Sequence, residues 1–254
     1  MRTRSLVAMS LAGLVTVTCV TGSTAAATTA RQRGPAPLLV TSRAAPDPTH
    51  FTAGKVTNQW FPLKPGTRMV YRGVKDGKHL RDVFKPLYKT RKIEGVVCRA
   101  VRDLGYLNGV LEERTIDWYA QNKDGDVWYF GERTAELDRN GNVTSREGSW
   151  LAGRDGAQPG IYISAHPRVG QTYRQEYYPG HAEDHFAVIS TTAHITVPML
   201  ATRHAVETKE WSPLEPGVVD HKFYVRDLGL VSEQSFKGPL ETARLVSVTH
   251  VPPA

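Results

Sequence analysis

The chain is 254 residues long and contains 32 Lys and Arg against 25 Asp and Glu, which gives a formal net charge of +7 at pH 7. This length allows one ordinary domain, or two small ones, to bury a substantial core, so folding requires neither a metal nor a disulfide. The basic excess is small and dispersed, and the sequence has no nucleic-acid motif, phosphate-binding glycine loop or dinucleotide fingerprint. Nucleic acid is therefore not predicted as a partner, and no cofactor is predicted.

The N-terminal segment 1–27 has the pattern of a Sec signal peptide. Arg2 and Arg4 precede an apolar run over 6–20, and three alanines follow, so cleavage is predicted after Ala27. The run is too short for a comfortable membrane span, and no later segment is long and apolar enough for one. Lipidation at Cys19 is the alternative, but residues 16–18 do not match a lipobox. The sequence therefore predicts a secreted or cell-envelope protein without a transmembrane segment in the mature chain.

Cleavage at this position leaves Cys98 as the single cysteine of the mature chain. An intramolecular disulfide is then impossible, although the compartment would permit one. Cys98 lies in a strand-like run, VVCRAV (96–101). This context favours a small buried side chain, with a reactive or intermolecular thiol as the alternative.

The rest of the chain is predicted to be all-β. Residues 28–50 have few large apolar groups and are predicted to form a flexible leader, and 51–254 are predicted to form a single β domain. There, short runs of Val, Ile, Tyr, Trp and Thr alternate with Gly, Pro and Asn. This pattern favours a curved antiparallel sheet or half-barrel, with a short helix possible, and a β-sandwich is the alternative. The Gly- and Pro-rich stretch 152–170 is interpreted as a long connection.

The clearest turn is Asn108-Gly109, which predicts a two-residue hairpin between strands 97–107 and 110–121. A turn at 123–126 and a third at Asn140-Gly141 follow the same reasoning. Seven further strands are predicted at 127–132, 172–178, 184–192, 205–211, 218–226, 230–236 and 241–248.

Several segments together resemble an uncharacterised family of exported bacterial proteins. They are NQWFPLKPGT (58–67), DWYAQ (117–121), VWYFGE (127–132) and LEPG (214–217). A second likeness joins FPL (61–63), FYV (223–225) and LGLV (228–231) to the lipoprotein-carrier (LolA-like) half-barrels. The first resemblance implies export and a shared fold without naming an activity. The second implies a concave sheet able to hold an apolar group.

The densest aromatic cluster suggests a ligand site on two adjacent strands. It comprises Trp118, Tyr119, Trp128, Tyr129 and Phe130. Because side chains alternate across a strand, both faces of the sheet carry aromatic rings here. Either one face packs the core while a loop covers the other, or an aromatic-lined cleft binds a ligand. The candidate ligand-binding residues are Trp118, Trp128, Glu112 and Arg114.

The best metal candidate is the segment 181–185, which offers His181, Glu183, Asp184 and His185. On a helix the two histidines would share a face, but on a strand they would lie roughly 13 Å apart and could not chelate one ion. The neighbouring residues favour a strand, so no metal site is predicted. The acid-rich stretch 122–126 lacks a distal Glu and is interpreted as a plain turn rather than a calcium loop.

The sequence does not favour an enzyme. It has no Gly-x-Ser-x-Gly elbow, and Glu113 and Asp117 are four strand residues apart, roughly 13 Å, too far for a glycosidase pair. A carboxylate pair across neighbouring strands stays open. Five basic residues between 81 and 92 alternate with apolar ones, which favours a solvated strand face over a polyanion site; they are Arg81, Lys85, Lys89, Arg91 and Lys92.

Together these patterns favour an exported binding module. Its predicted partner is an apolar or amphipathic small molecule, or an envelope component, held in the concavity of a curved sheet. A hydrolase acting on an envelope or extracellular polymer is one alternative. An interaction protein without a pocket is the other.

Overall fold

The structure is a computed structural model that describes residues 39–40 and 46–252. The predicted signal peptide, its cleavage site after Ala27, and Cys19 lie outside the described residues. Within the predicted leader 28–50, Leu39–Val40 pair with a later strand and Pro48–His50 form a 3-10 turn capped by Asp47. This turn is the one helical element in the described part of the chain.

In the described residues, sixteen strands form one sheet. In chain order they are β1 (Leu39–Val40), β2 (Thr67–Lys75), β3 (Lys78–Ile93), β4 (Val96–Leu107), β5 (Val110–Gln121), β6 (Val127–Leu137), β7 (Val143–Ser145), β8 (Trp150–Leu151), β9 (Gln158–Ile163), β10 (Thr172–Arg174), β11 (Glu176–Tyr177), β12 (His185–Val197), β13 (Leu200–Trp211), β14 (Val219–Val225), β15 (Gly229–Lys237) and β16 (Glu241–His250). The predicted all-β fold with a curved antiparallel sheet is confirmed. The β-sandwich alternative is wrong, because the strands belong to one continuous sheet and not to two facing ones.

Two meanders, β2 to β6 and β12 to β16, are joined edge to edge by the antiparallel pairing of β16 with β2. The order across the sheet is β1, β10, β12, β13, β14, β15, β16, β2, β3, β4, β5, β6, β9 and β11, while β7 and β8 pair with β6. All pairs are antiparallel except β1 with β10.

The segment 172–177 brings the two edges of the sheet together. Its first half, β10, pairs with β12, and its second half, β11, pairs with β9. The approach is close, since a Cβ placed on Gly160 would lie only 2.1 Å from the carbonyl oxygen of Arg174. A side chain at this position would therefore clash with the neighbouring backbone, so glycine is required. Because 172–177 pairs with strands at both edges, the sheet is nearly closed as a barrel.

Strand β9 corrects the interpretation of 152–170 as a connection. Ile161, Tyr162 and Ile163 are at most 9% exposed, so this segment contributes to the core. The preceding Pro159-Gly160 pair looks like a turn in sequence, but at this edge it lets a strand lie against a neighbouring backbone.

The predicted hairpin at Asn108-Gly109 is confirmed. Asn108 has φ of 49° and Gly109 has φ of 86°, the positive values that a two-residue hairpin turn requires. The turns Asp76-Gly77 and Glu94-Gly95 have the same signature and connect β2 to β3 and β3 to β4. Tight turns of this type set the register of the meander.

The inside of the curved sheet is packed with aromatic rings at one end. Phe61, which precedes β2, contacts Tyr162 and Tyr119 with ring centroids 4.5 and 5.2 Å apart. Tyr119 stacks on Tyr129 at 4.7 Å. Cys98 is fully buried, and burial raises the pKa of its thiol, which leaves it as a small apolar side chain of the core.

Candidate anion-binding face

Four consecutive strands each contain an acid next to a base, and the sheet separates the two charges. The pairs are Arg81-Asp82 on β3, Arg102-Asp103 on β4, Glu113-Arg114 on β5 and Glu132-Arg133 on β6. The four acids are at most 5% exposed, whereas Arg102, Arg114 and Arg133 are exposed and Arg81 is half-buried. Because successive side chains alternate across a strand, every acid lies on the enclosed inner face and every base on the outer face.

The inner face contains many carboxyl groups whose pKa values are raised by burial. Asp82 has a pKa well above its usual range, because it is buried and shares a hydrogen bond with the neighbouring Asp103. Burial also raises the pKa of Asp117, although Tyr129 donates a 2.9 Å hydrogen bond to it. Burial is also the main cause of the raised pKa values of Glu132, Glu176 and Glu233. Burial thus favours the protonated form of each of these groups over the ionised form.

Two buried lysines neutralise part of the remaining inner charge. The Lys222 ammonium lies 2.7 Å from a Glu210 carboxylate oxygen, and both side chains are at most 2% exposed. Glu233 is the direct cross-strand partner of Lys222. On β2, the Lys75 ammonium lies 3.1 Å from a carboxylate oxygen of Glu241, the residue directly opposite it on β16. The closed packing around these groups gives them a structural role in the fold.

This sorting makes the accessible surface far more basic than the composition suggests. Residues 46–252 contain 27 Lys and Arg and 25 Asp and Glu, but ten of these acids and only two of these bases are buried. The accessible part of the described chain therefore has 25 basic against 15 acidic side chains. Anionic partners are attracted to such a surface.

The larger cleft on the outer face lies over β4, β5 and β6 and has a volume of about 610 Å³. Its charged lining consists of Arg102, Arg114, Arg133 and Arg146. Among the residues that the structure describes, no carboxylate forms an ion pair with any of these four guanidinium groups. We name this site the arginine cleft.

Apolar side chains and two threonines, Thr115 and Thr134, complete the lining of the arginine cleft. Cross-strand pairing places the apolar residues between the arginines: Leu104 is opposite Arg114, and Ile116 is opposite both Arg102 and Arg133. A cleft of this kind combines fixed positive charge with apolar contact area.

A smaller cleft of about 270 Å³ lies beside the arginine cleft, and Arg133 lines both. Trp118 forms part of its wall but is only 5% exposed. The Arg91 guanidinium lies over the Trp118 ring, 4.5 Å from its centroid. Trp118 is therefore a nearly buried ring that borders the smaller cleft.

The structure places the four candidate ligand-binding residues in different surroundings. Arg114 and Trp118 line the two neighbouring clefts. Trp128 lies apart from both, with Phe51 packed edge-on against its ring at 6.0 Å. Glu112 is the extra residue of a register shift at the end of the β4–β5 hairpin, where it lies 3.7 Å from the Lys78 ammonium. Of the four, only Arg114 and Trp118 therefore line a cleft.

The segment 181–185 does not gather a metal-binding set. His181 stacks on Tyr178 with centroids 4.3 Å apart, and His185 stacks on Trp211 at 5.6 Å. Glu183 accepts a hydrogen bond from the Gly180 amide, and Asp184 is buried. Over the described residues, no three His, Cys, Asp or Glu side chains are arranged to hold a metal ion.

The buried carboxyls and the cleft arginines other than Arg114 were missed by reasoning from sequence. Their signal is the acid-base dipeptide at alternating positions in four successive strands. Alternation shows that Arg102 and Asp103 face opposite sides, but it does not show which side is enclosed. Because charged side chains are mostly exposed in folded proteins, the sequence alone would place both the acid and the base of each dipeptide at the surface.

No family model and no curated protein matches the chain. Two solved structures are similar in fold. One is described as a candidate exported protein with a YmcC-like fold from Bacteroides fragilis, with 13% identity and a TM-score of 0.43, over 76% of this chain and 99% of the other. The second is a candidate lipoprotein from Parabacteroides distasonis, with 11% identity and a TM-score of 0.41 over the same shares. Likeness at this level assigns no function. In the described residues, no helix has the length and apolar character needed to cross a membrane.

Proposed function

We propose that this protein is an exported binding module whose ligand is an amphipathic anion held in the arginine cleft. The observation that supports this proposal is a set of four guanidinium groups that, among the described residues, have no carboxylate ion-pair partner and lie beside apolar side chains. The N-terminal pattern over 1–27 supports export. The proposed ligand has an acidic head group and an alkyl or ring portion.

Arginine is well suited to such a head group. Its planar guanidinium donates two parallel hydrogen bonds to a carboxylate or phosphate, and it stays charged at any physiological pH. Arg102 and Arg133 flank Ile116 on neighbouring strands, so one oxyanion can be contacted from both sides. Each charge-assisted hydrogen bond contributes about 1.5–3 kcal/mol when the pair is shielded from water.

The apolar portion of the ligand would extend over Leu104 and Ile116, or along the smaller cleft past Trp118. The likeness to lipoprotein carriers implies a ligand in the concavity of the sheet instead. Inside the sheet, however, the rings of Phe61, Tyr119 and Tyr162 pack directly against one another. The proposal therefore places the ligand on the outer face.

Isothermal titration with dodecyl phosphate below its micelle concentration tests this proposal. Dodecyl maltoside supplies the same tail without charge, and inorganic phosphate supplies the charge without a tail. We expect dodecyl phosphate to bind at least about tenfold more tightly than either control, because only it uses both parts of the cleft.

Variants in the cleft give the second half of the test. Arg114→Gln and Arg133→Gln should each weaken dodecyl phosphate binding by about tenfold or more. Arg203→Gln, at an exposed arginine on β13, is the matched control and should bind as wild type does. Equal binding of the neutral detergent, or binding unchanged in both cleft variants, would overturn the proposal.

A further inference from the structure

A second group of arginines lies on the outer face beyond the arginine cleft, on strands β16, β2 and β3. Arg244 is directly opposite Arg72, and Arg72 is directly opposite Arg81. Neighbouring strands are roughly 4.8 Å apart, so the three residues form a row of like charges about 10 Å long. The Arg81 guanidinium is fixed at the end of this row, 3.8 Å above the ring of Tyr106 on β4.

An apolar row runs beside these arginines and continues into the cleft. Val70 is opposite Val83, and Val83 is opposite Leu104. Val70 and Val83 are only 6 and 7% exposed although they lie on the outer face. Long Arg and Lys stems commonly cover apolar surface in this way while their charged ends stay in water.

A third row restores the positive charge on the far side of the apolar row. Lys85 is directly opposite Arg102, which in turn is opposite Ile116. No Asp or Glu occupies a position in any of the three rows. Arg102 also lines the arginine cleft, so the rows and the cleft form one continuous basic surface.

This arrangement is unfavourable for the isolated protein. Like charges directly opposite each other on neighbouring strands are destabilising, and here such pairs occur in succession. A carboxylate at position 72 or 85 would relieve the repulsion. The sequence alone favoured a solvated face for Arg81 and Lys85, but it does not show that their cross-strand neighbours are also cations.

We propose that the outer face of β16, β2 and β3 binds a linear polyanion without bases, such as a polysaccharide or polyphosphate chain with closely spaced anionic groups. The chain would cross the strands along Arg244, Arg72 and Arg81, with one acidic group near each guanidinium. Release of counterions from the polymer adds to the favourable free energy of such contacts.

Other anionic partners fit this face less well. A membrane surface would gain from large exposed apolar side chains to insert, but in the described chain none of those residues belongs to the three rows. Single-stranded nucleic acid is held largely by aromatic stacking, and the ring opposite the end of the arginine row, Tyr106 on β4, is covered by Arg81. A bare charged chain needs neither feature.

Binding assays with polyphosphate and polygalacturonate test the proposal on the intact mature protein. We expect at least one of the two polymers to bind, and its affinity should fall steeply between about 50 and 200 mM salt. The double variant Arg72→Gln/Arg244→Gln should weaken binding by about tenfold or more and reduce the salt slope by about two. The control Arg139→Gln/Arg203→Gln removes the same charge from exposed positions outside the rows and should bind as wild type does.

Further arms identify the partner. Binding of neither polymer, or equal binding by both double variants, would overturn the proposal. So would binding confined to vesicles with anionic phospholipid, or to oligo-dT. Arg72 and Arg244 lie outside the lining of the arginine cleft, so dodecyl phosphate binding should be unchanged in that variant. The two proposals can therefore fail separately.

Discussion

The inner and outer faces of strands β3 to β6 differ in the sign of their charge and in how that charge is satisfied. On the inner face, Asp82 and Asp117 are buried, and burial raises the pKa values of their carboxyls. On the outer face, Arg102 and Arg114 stay charged, and no ion pair neutralises them among the described residues. Burial raises the pKa values of the inner carboxyls, whereas the outer guanidinium groups keep their charge in contact with solvent.

The comparison also shows why a nearly neutral balance of acids and bases can conceal a basic protein. A carboxyl can lose its charge on burial because its pKa rises, whereas a guanidinium cannot. Acids can therefore be placed inside at moderate cost, and the arginines next to them in sequence are left at the surface. The fold thus converts a small excess of bases into a strongly basic exterior.

The largest expected effect is a loss of stability as the pH rises. Asp82, Asp117, Glu132, Glu176 and Glu233 have folded pKa values above those of the unfolded chain, near 4. Their stabilising effect is complete below the unfolded pKa and is lost as the pH rises through the folded pKa. Each unit of upward shift removes about 1.4 kcal/mol. Urea unfolding between about pH 4 and pH 8 should show a midpoint that falls steadily.

Asp82→Asn tests the cause, because asparagine mimics the protonated carboxyl. This variant should flatten the pH dependence, whereas Asp155→Asn at an exposed turn should not change it. A wild-type protein whose stability rises from pH 4 to pH 8 would show that the inner acids are ionised and paired, and the contrast between the faces would be lost.

The second prediction concerns the inner cation Lys222. Lys222→Met removes the partner of the buried Glu210 and should cost about 3–5 kcal/mol near neutral pH. Lys209→Met is the matched outer change on the adjacent strand, where the ammonium is exposed over Trp211 at 5.5 Å. It should change the free energy of unfolding by about 0.5 kcal/mol or less. Similar costs for the two variants would remove the distinction between inner and outer lysines.

Trp118→Ala should have a somewhat smaller effect, since the ring lies at the boundary of the two regions. The side chain is 5% exposed on the outer face, and its loss should cost about 3 kcal/mol in a denaturant titration. Arg91→Gln, which keeps the ring and removes the guanidinium above it, should cost about 1 kcal/mol or less. A folded Trp118→Ala protein of wild-type stability would make Trp118 a wall of the cleft alone.

Gly109→Val should cost about 1 kcal/mol or more, because a β-branched residue cannot adopt a φ of 86° without strain. Gly105→Ala, on the same hairpin, is the control: a Cβ there meets only ordinary contact at 3.6 Å from Glu113. The melting temperature measures both changes. Equal losses would mean that the turn does not hold the register that sorts Glu113 inward and Arg114 outward.

Sequence reasoning predicted strands β4 and β5 and the turn between them because both depend on local signals, whereas β2 and β3 were not predicted as strands. The Asn108-Gly109 pair and the alternation over 110–121 specify a hairpin before any tertiary contact is known. Strand β9 was missed because Gly160 has a long-range reason to be glycine, namely the backbone of Arg174. The arginine rows were missed because cross-strand register, and not sequence spacing, places Arg244 beside Arg72.

The smallest expected effect is a gain in stability from the outer face. Arg72 has an arginine directly opposite on both neighbouring strands, Arg244 and Arg81. Arg72→Gln relieves both repulsions while keeping a long polar side chain on the same face of β2 as Val70. The free energy of unfolding should therefore rise by about 0.2–1 kcal/mol at low salt. Because salt screens exposed charges, the gain should disappear at about 1 M salt, where the Debye length is about 3 Å.

Arg203→Gln on β13 is the reference, because Arg203 lies at a register shift with no cation paired directly opposite it. It should change stability less than Arg72→Gln does. A loss of stability in Arg72→Gln at low salt would mean that the packing of its stem over the apolar row outweighs the repulsion. A gain that vanishes with salt would instead show that the folded protein keeps Arg72 at a cost to its own stability. Such a cost is expected for a residue retained for an anionic partner, as the comparison of the two faces suggests.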